Sequence, residues 1–148
     1  MSVVIEVAEV ASEELLEGIN RLVPQLSSTS RAMTGQELTD LIGSACVTFF
    51  VARNEGNIVG MLTLAVFPIP TGLRAWIEDV VVDDASRGLR IGEALTVAAI
   101  DMAREYGAKT VDLTSRPSRE AANTLYRRLG FIQRDTNVYR YSVNKVEE

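Results

Sequence analysis

The chain contains no histidine and a single cysteine. The first absence removes every catalytic triad that passes its proton through imidazole, and every His-ligated metal site. The second leaves no thiolate cluster for zinc and no intrachain disulfide, so no metal is expected. Acid–base work falls instead to Asp, Glu, Tyr, Lys or ordered water. A lone cysteine fits a reducing compartment, and Cys46, just ahead of the apolar residues Val47, Phe49, Phe50 and Val51, reads as a buried, inert thiol. No apolar run approaches the ~20 residues of a membrane helix. No basic flank precedes an apolar stretch at the N-terminus, so a cytoplasmic protein without a membrane partner is expected. Repeats and low-complexity linkers are also missing. The 148 residues fit one compact domain over 1–148, large enough to bury roughly 70% of the surface its unfolded chain exposes.

The formal net charge is −5, which argues against nucleic acid as a partner. The charge is unevenly placed. Residues 1–20 hold Glu6, Glu9, Glu13, Glu14 and Glu17 and no basic residue, whereas residues 115–134 hold Arg116, Arg119, Arg127, Arg128 and Arg134. That arginine-rich stretch suits either a phosphate-bearing small molecule or an ordinary solvated helix face.

Hydrophobic periodicity supplies the elements. Val3 to Val7 reads as a strand. Ser12 caps a helix with Glu13 and Glu14 in its first turn and Leu15, Leu16, Ile19, Leu22 and Val23 on its apolar face. Thr34 with Glu37 three residues on is a capping box that opens a second short helix. Residues 46–53 and 58–67 are strands joined by Asn54-Glu55-Gly56-Asn57, a hairpin signal. Pro68, Pro70 and Gly72 break the chain before a third long strand over 75–82. A helix runs from about Ile91 to Tyr106 and stops at Gly107. A short strand over 110–113 follows, then a helix capped by Ser118 and ended by Gly130. Residues 131–143 alternate loosely and are expected to add one or two strands. This order predicts an α/β protein with a mixed sheet, antiparallel hairpins early and a strand–helix–strand crossover later.

The most informative stretch is Val80-Val81-Val82-Asp83-Asp84-Ala85-Ser86-Arg87-Gly88-Leu89-Arg90-Ile91-Gly92-Glu93. A buried strand passes through an acidic loop and a glycine-containing turn into a helix. Unpaired backbone N–H groups at the positive end of the helix dipole make an anion site suited to a pyrophosphate. Gly88 and Gly92 permit close backbone approach, and Arg87 adds a full positive charge. Just upstream, Glu78 and Asp79 are adjacent carboxylates inside an otherwise apolar strand, an arrangement that costs energy unless they are paired or functional. Alternation puts them on opposite faces, with Trp76, Glu78, Val80 and Val82 sharing one.

Two stretches carry a resemblance. Arg87-Gly88-Leu89-Arg90-Ile91-Gly92 resembles the Arg/Gln-x-x-Gly-x-Gly/Ala signature of the GNAT superfamily of acetyl-CoA-dependent N-acetyltransferases, with Arg90 where the pattern usually has glycine. Ser118-Arg119-Glu120-Ala121-Ala122-Asn123-Thr124-Leu125-Tyr126-Arg127-Arg128-Leu129-Gly130-Phe131 is similar to that family's late helix, with Arg119 where many members have asparagine. The resemblance covers about residues 46–135. It implies a GNAT-type fold, a central mixed sheet flanked by about four helices, with acetyl-CoA as co-substrate.

By the same resemblance, the pantetheine arm lies like an added strand against Val80, Val81 and Val82. The pyrophosphate sits over Arg87, Gly88, Leu89, Arg90, Ile91, Gly92 and Glu93, and Asn123 stands in for the missing asparagine contact. An amide near Val81 receives the charge of the acetyl oxygen. Glu78, at the parity some members use, is the candidate base, with Asp79 or water as alternatives. The run over 77–82 is also similar to the strand of glucosamine-6-phosphate N-acetyltransferases. Tyr126 is the candidate acid towards the CoA sulfur, or else a packed aromatic.

The function implied is acetyl transfer to a primary amine by direct attack, with a small-molecule amine favoured. Two alternatives remain: a peptide amine (an N-terminus or a lysine), and a CoA-binding regulatory module without catalysis. A homodimer, and an acyl group longer than acetyl, stay open.

Overall fold

The computed structural model describes residues 3–144, and two compact units divide the chain after Leu113. In the first, β1 (Val3–Val7), β2 (Val47–Asn54), β3 (Asn57–Ile69), β4 (Gly72–Val82) and β5 (Thr110–Asp112) form one sheet in the order β1-β2-β3-β4-β5. Each neighbouring pair among the first four strands is antiparallel, and β5 lies parallel to β4 after a helical crossover. The early antiparallel hairpins and the later strand–helix–strand crossover are those expected from the sequence. Glu55 and Gly56 both take positive φ, 52° and 84°, as a two-residue type I′ hairpin turn requires.

Two helices cover one face. α1 (Glu13–Leu26) is capped by Ser12, whose side chain accepts from the Leu15 amide at 3.1 Å. In α2 (Gly35–Gly43) the capping box between Thr34 and Glu37 is formed in both directions. Leu15, Ile19 and Leu22 from α1 and Leu38 from α2 pack on Phe49, Val51, Met61 and Val81 of the sheet. Leu22 and Leu38 have at most 1% exposure, so each contributes about 1.5–3 kcal/mol by burial. On the other face α3 (Ile91–Tyr106) buries Ile91, Leu95, Thr96, Ala99 and Ala103. At Gly60 of β3 an added Cβ would come within 3.1 Å of both the Ile91 and Leu95 side chains. That close approach seats the start of α3 beside the end of β4. Thr96, fully buried, satisfies its hydroxyl by donating to the Gly92 carbonyl at 2.7 Å.

Four local expectations are corrected. Cys46 is exposed, because the strand starts one residue later and 44–46 belong to the turn before it. Pro68 does not end its strand but pairs with Leu73 inside β3. The β2–β3 ladder stops at Ala65, so β3 has no partner on that side at Pro68 and the missing N–H loses no bond there. In the second unit α4 (Glu120–Arg128) has Arg119, not Ser118, as its N-cap, with no side-chain hydrogen bond. Among the described residues, 131–144 contain no strand, and a bend falls at Asp135. Asp135, Thr136 and Asn137 favour turns and interrupt the loose alternation on which that expectation rested.

Candidate active site

β4 is not a regular strand. Glu78 pairs with Thr63 and Val81 with Met61, so Asp79 and Val80 together face the single residue Leu62. This is a β-bulge, and Asp79 takes a left-handed φ of 52°. Parity is reset across it. Trp76, Glu78 and Val81 share the α1/α2 face, whereas Ile77 and Val82 turn towards α3. The expected grouping of Glu78 with Val80 and Val82 is therefore corrected, and Val81 takes their place. An extra residue inside an apolar run leaves no mark on the hydrophobic pattern.

The free edge of β4 follows from two further observations. Pairing to β5 covers only Arg74, Ala75 and Trp76, so within the first unit residues 77–82 have no partner strand on that side. The Asp83 amide donates to the Val59 carbonyl at 2.8 Å. Ladder alternation then turns the Val81 amide towards β3 and the Val82 amide towards the free edge.

Beyond Val82 the chain enters the turn that was singled out in the sequence. Asp83 accepts from the Ala85 amide at 3.2 Å and caps a single 3-10 turn at Asp84–Ser86. Gln25, near the end of α1, holds the same loop. Its side-chain oxygen accepts from the Asp84 amide at 2.9 Å and its nitrogen donates to Asp83 at 3.4 Å. The two aspartates are thus structural, and Gln25 is a positioning residue that the sequence did not disclose, because its partner lies 59 residues away.

Gly88 adopts φ 89° and has open space where a Cβ would stand. Arg90 adopts φ 57°, ψ 31°, the left-handed region, at the N-cap of α3. This explains why glycine suits that position. Unlike α1 and α2, α3 has no side-chain cap, and its first helical bond runs from the Ala94 amide to the Arg90 carbonyl. The turn's positive charges are held locally, Arg87 to Asp84 at 2.7 Å and Arg90 to Glu93 at 3.6 Å. Both arginines are more than 70% exposed. Such pairs are worth at most about 1 kcal/mol, so displacing them would cost little.

The two carboxylates differ in surroundings. Glu78 is exposed and accepts a hydrogen bond from the Trp76 indole nitrogen at 2.6 Å. Asp79 keeps solvent on one side, yet loss of hydration, and secondarily the neighbouring Glu78 charge, push its carboxyl above the usual range. In the second unit Tyr126 is the buried residue of α4 and packs edge-on against Phe131, ring centres 5.6 Å apart at 65°. Burial raises its hydroxyl's proton affinity, partly offset by the Arg119 charge, and so keeps it protonated through neutral pH. Asn123 donates its side-chain amide to the Arg116 carbonyl at 3.0 Å, which pins the loop before α4.

Comparison with known proteins agrees with this architecture. The chain is 32% identical over 94 residues to a mycothiol acetyltransferase of Sanguibacter keddieii, covering 62% of this chain and 30% of that protein. It is 36% identical over 74 residues to N-alpha-acetyltransferase 30 of Schizosaccharomyces pombe, covering 50% of this chain and 49% of the other. The chain thus spans under a third of the length of the first and about half of the second. Among solved structures, an acetyltransferase of Trypanosoma brucei superposes with a TM-score of 0.78 at 27% identity, covering 95% of this chain and all of that one. Residues 15–131, from the first helix through Phe131, match the profile of the acetyltransferase (GNAT) family, and the chain belongs to that family.

Proposed function

We propose that this chain is an N-acetyltransferase that moves the acetyl group of acetyl-CoA to the primary amine of a small molecule. The observation that carries the reading is the uncapped N-terminus of α3, which opens directly from the Gly88 turn. Helix N-termini left without a cap offer several N–H donors and a positive dipole end to a phosphate group. Here that end adjoins the partnerless edge of β4, which can take an extended amide chain by adding a strand. Residues 87–93 would hold the pyrophosphate, and the end of β4 from Val80 to Val82 the pantetheine arm, through the backbone groups on its free edge such as the Val82 amide rather than through the Val81 amide, which faces β3.

When bound, acetyl-CoA supplies an activated acetyl thioester. Glu78 takes the proton that the acceptor's ammonium must lose before its nitrogen attacks the carbonyl carbon. The edge amides of β4 receive the charge that develops on the carbonyl oxygen. Tyr126 would give its proton to the sulfur as the C–S bond breaks, and the second proton, released by the newly acylated nitrogen, restores the phenol. The mycothiol acetyltransferase likeness favours a small acceptor, and the N-alpha-acetyltransferase likeness favours a peptide N-terminus. An acetyl-CoA consumption assay against small amines and N-terminal peptides decides between them. Stabilisation by acetyl-CoA without turnover on any amine would reduce the chain to a binding module.

A further inference from the structure

The strongest unassigned feature lies on the open half of the α1/α2 face. Trp76 stands there between two charged residues of its own strand, Arg74 and Glu78, each two residues away and pointing to the same side. Its cross-strand partner on β3 is the small Ala65 and on β5 it is Asp112. Arg74 pairs with Asp112 at 3.2 Å, and Asp79 stands beyond Glu78 in the bulge. Glu78 has no cation partner among the described residues, and its hydrogen bond comes from the indole. Trp76 therefore keeps Arg74 and Glu78 apart and occupies one oxygen of the Glu78 carboxylate.

We propose that Trp76 is a positioning residue for Glu78: its indole N–H fixes the carboxylate with one oxygen engaged and the other turned to the acceptor amine. The inference rests on the reading of Glu78 as the proton acceptor. A glutamate on an exposed strand face has several rotamers of similar energy. Fixing one in advance removes an ordering cost that would otherwise fall in the transition state. The bulge strengthens the argument, because it moves the next residue of β4 on that face from Val80 to Val81 and leaves Trp76 as the same-face neighbour at regular two-residue spacing.

The test uses the full chain. Trp76→Phe keeps an aromatic ring and removes the donor. It is expected to lower kcat roughly two- to tenfold, the range set by the ordering of one flexible side chain, with KM for acetyl-CoA unchanged. In a Glu78→Gln background the same substitution is expected to add nothing further. Independent, multiplying losses in the double variant would overturn positioning through Glu78, even with the enzyme reading intact. The pairing has its own readout, since Trp76 is the only tryptophan. Its emission maximum is expected to shift in Glu78→Ala at constant pH, and an unchanged spectrum would overturn the hydrogen bond whether or not Trp76→Phe folds. A wild-type chain without turnover on any amine overturns the role of Glu78 itself, and the emission result then still decides the contact.

Discussion

Arg90 holds a backbone conformation that its side chain disfavours, and the consequence can be measured. Its φ of 57° and ψ of 31° lie in the left-handed region, where a residue with a Cβ is disfavoured by about 1–2 kcal/mol. Glycine removes that cost but brings a more mobile unfolded chain, which returns about 0.4–1 kcal/mol. Either replacement also loses the Arg90–Glu93 pair. At 3.6 Å, with Arg90 79% exposed, that pair is worth well under ~1 kcal/mol. Comparing Arg90→Gly with Arg90→Ala cancels the lost pair and isolates the backbone. The glycine variant should be more stable than the alanine variant by about 1 kcal/mol, or ~2–4 °C in Tm for a chain of this size. Alanine should fall slightly below wild type, and glycine should equal or exceed it. The assay is thermal unfolding followed by circular dichroism without ligand. An alanine variant as stable as the glycine variant would refute the reasoning, since it would mean that Arg90 is not left-handed in solution.

Acetyl-CoA at about 100 times its Kd should raise stability by ~2.7 kcal/mol. Gly92→Asp, which puts a negative side chain in the first turn of α3, should abolish that gain while leaving the ligand-free Tm close to wild type. Tyr126→Phe keeps the edge-on contact with Phe131 and should lower turnover towards the ~10²-fold end of general-acid effects; a falling Tm with unchanged turnover would make the tyrosine a packing residue only. Glu78→Gln should lower turnover with KM for acetyl-CoA unchanged, and the same outcome for Asp79→Asn alone would transfer the base to Asp79. Asp79 also has a stability signature. Its folded carboxyl holds a proton more tightly than the unfolded one, so its ionisation penalises the fold above the folded-state value and not below the ordinary aspartate range near ~3.9. Asp79→Asn, which tolerates the same left-handed φ, should therefore exceed wild type in Tm at pH 7.5, with the difference shrinking as the pH falls to 3.5.

Much of the fold could be read because its signals are local. The capping box of Thr34 and Glu37, the Ser12 cap, and the stretch from Ile91 to the left-handed Gly107 each depend on residues within a few positions of one another. What escaped depends on partners far along the chain, or on a single residue of register. Pro68 remains in β3 only because β2 has already stopped beside it, a fact that belongs to the other strand. The Asp79 bulge hides inside an apolar run that reads equally well in either parity. The turn at residues 87–90 was legible from its glycine and from the helix start that follows it. The Gln25 clamp and the Trp76–Glu78 contact were not, since both are set by side-chain conformations that no spacing rule encodes.

The bulge in β4 has a consequence for chain length. Because Asp79 and Val80 share one partner position, β4 carries one residue more than its ladder needs, and the surplus falls where both flanks are already in correct polarity. Excising Asp79 would bring Val80 alone opposite Leu62, while Glu78 and Val81 kept their own partners. The shortened chain would therefore retain every buried apolar position of the sheet and fold around a straight β4. It would lose the local twist that a bulge adds to a strand, just where the free edge begins. If the β4 edge takes the co-substrate as proposed, the shortened protein is expected to fold and yet not to bind acetyl-CoA, which would make it a reference for the intact chain.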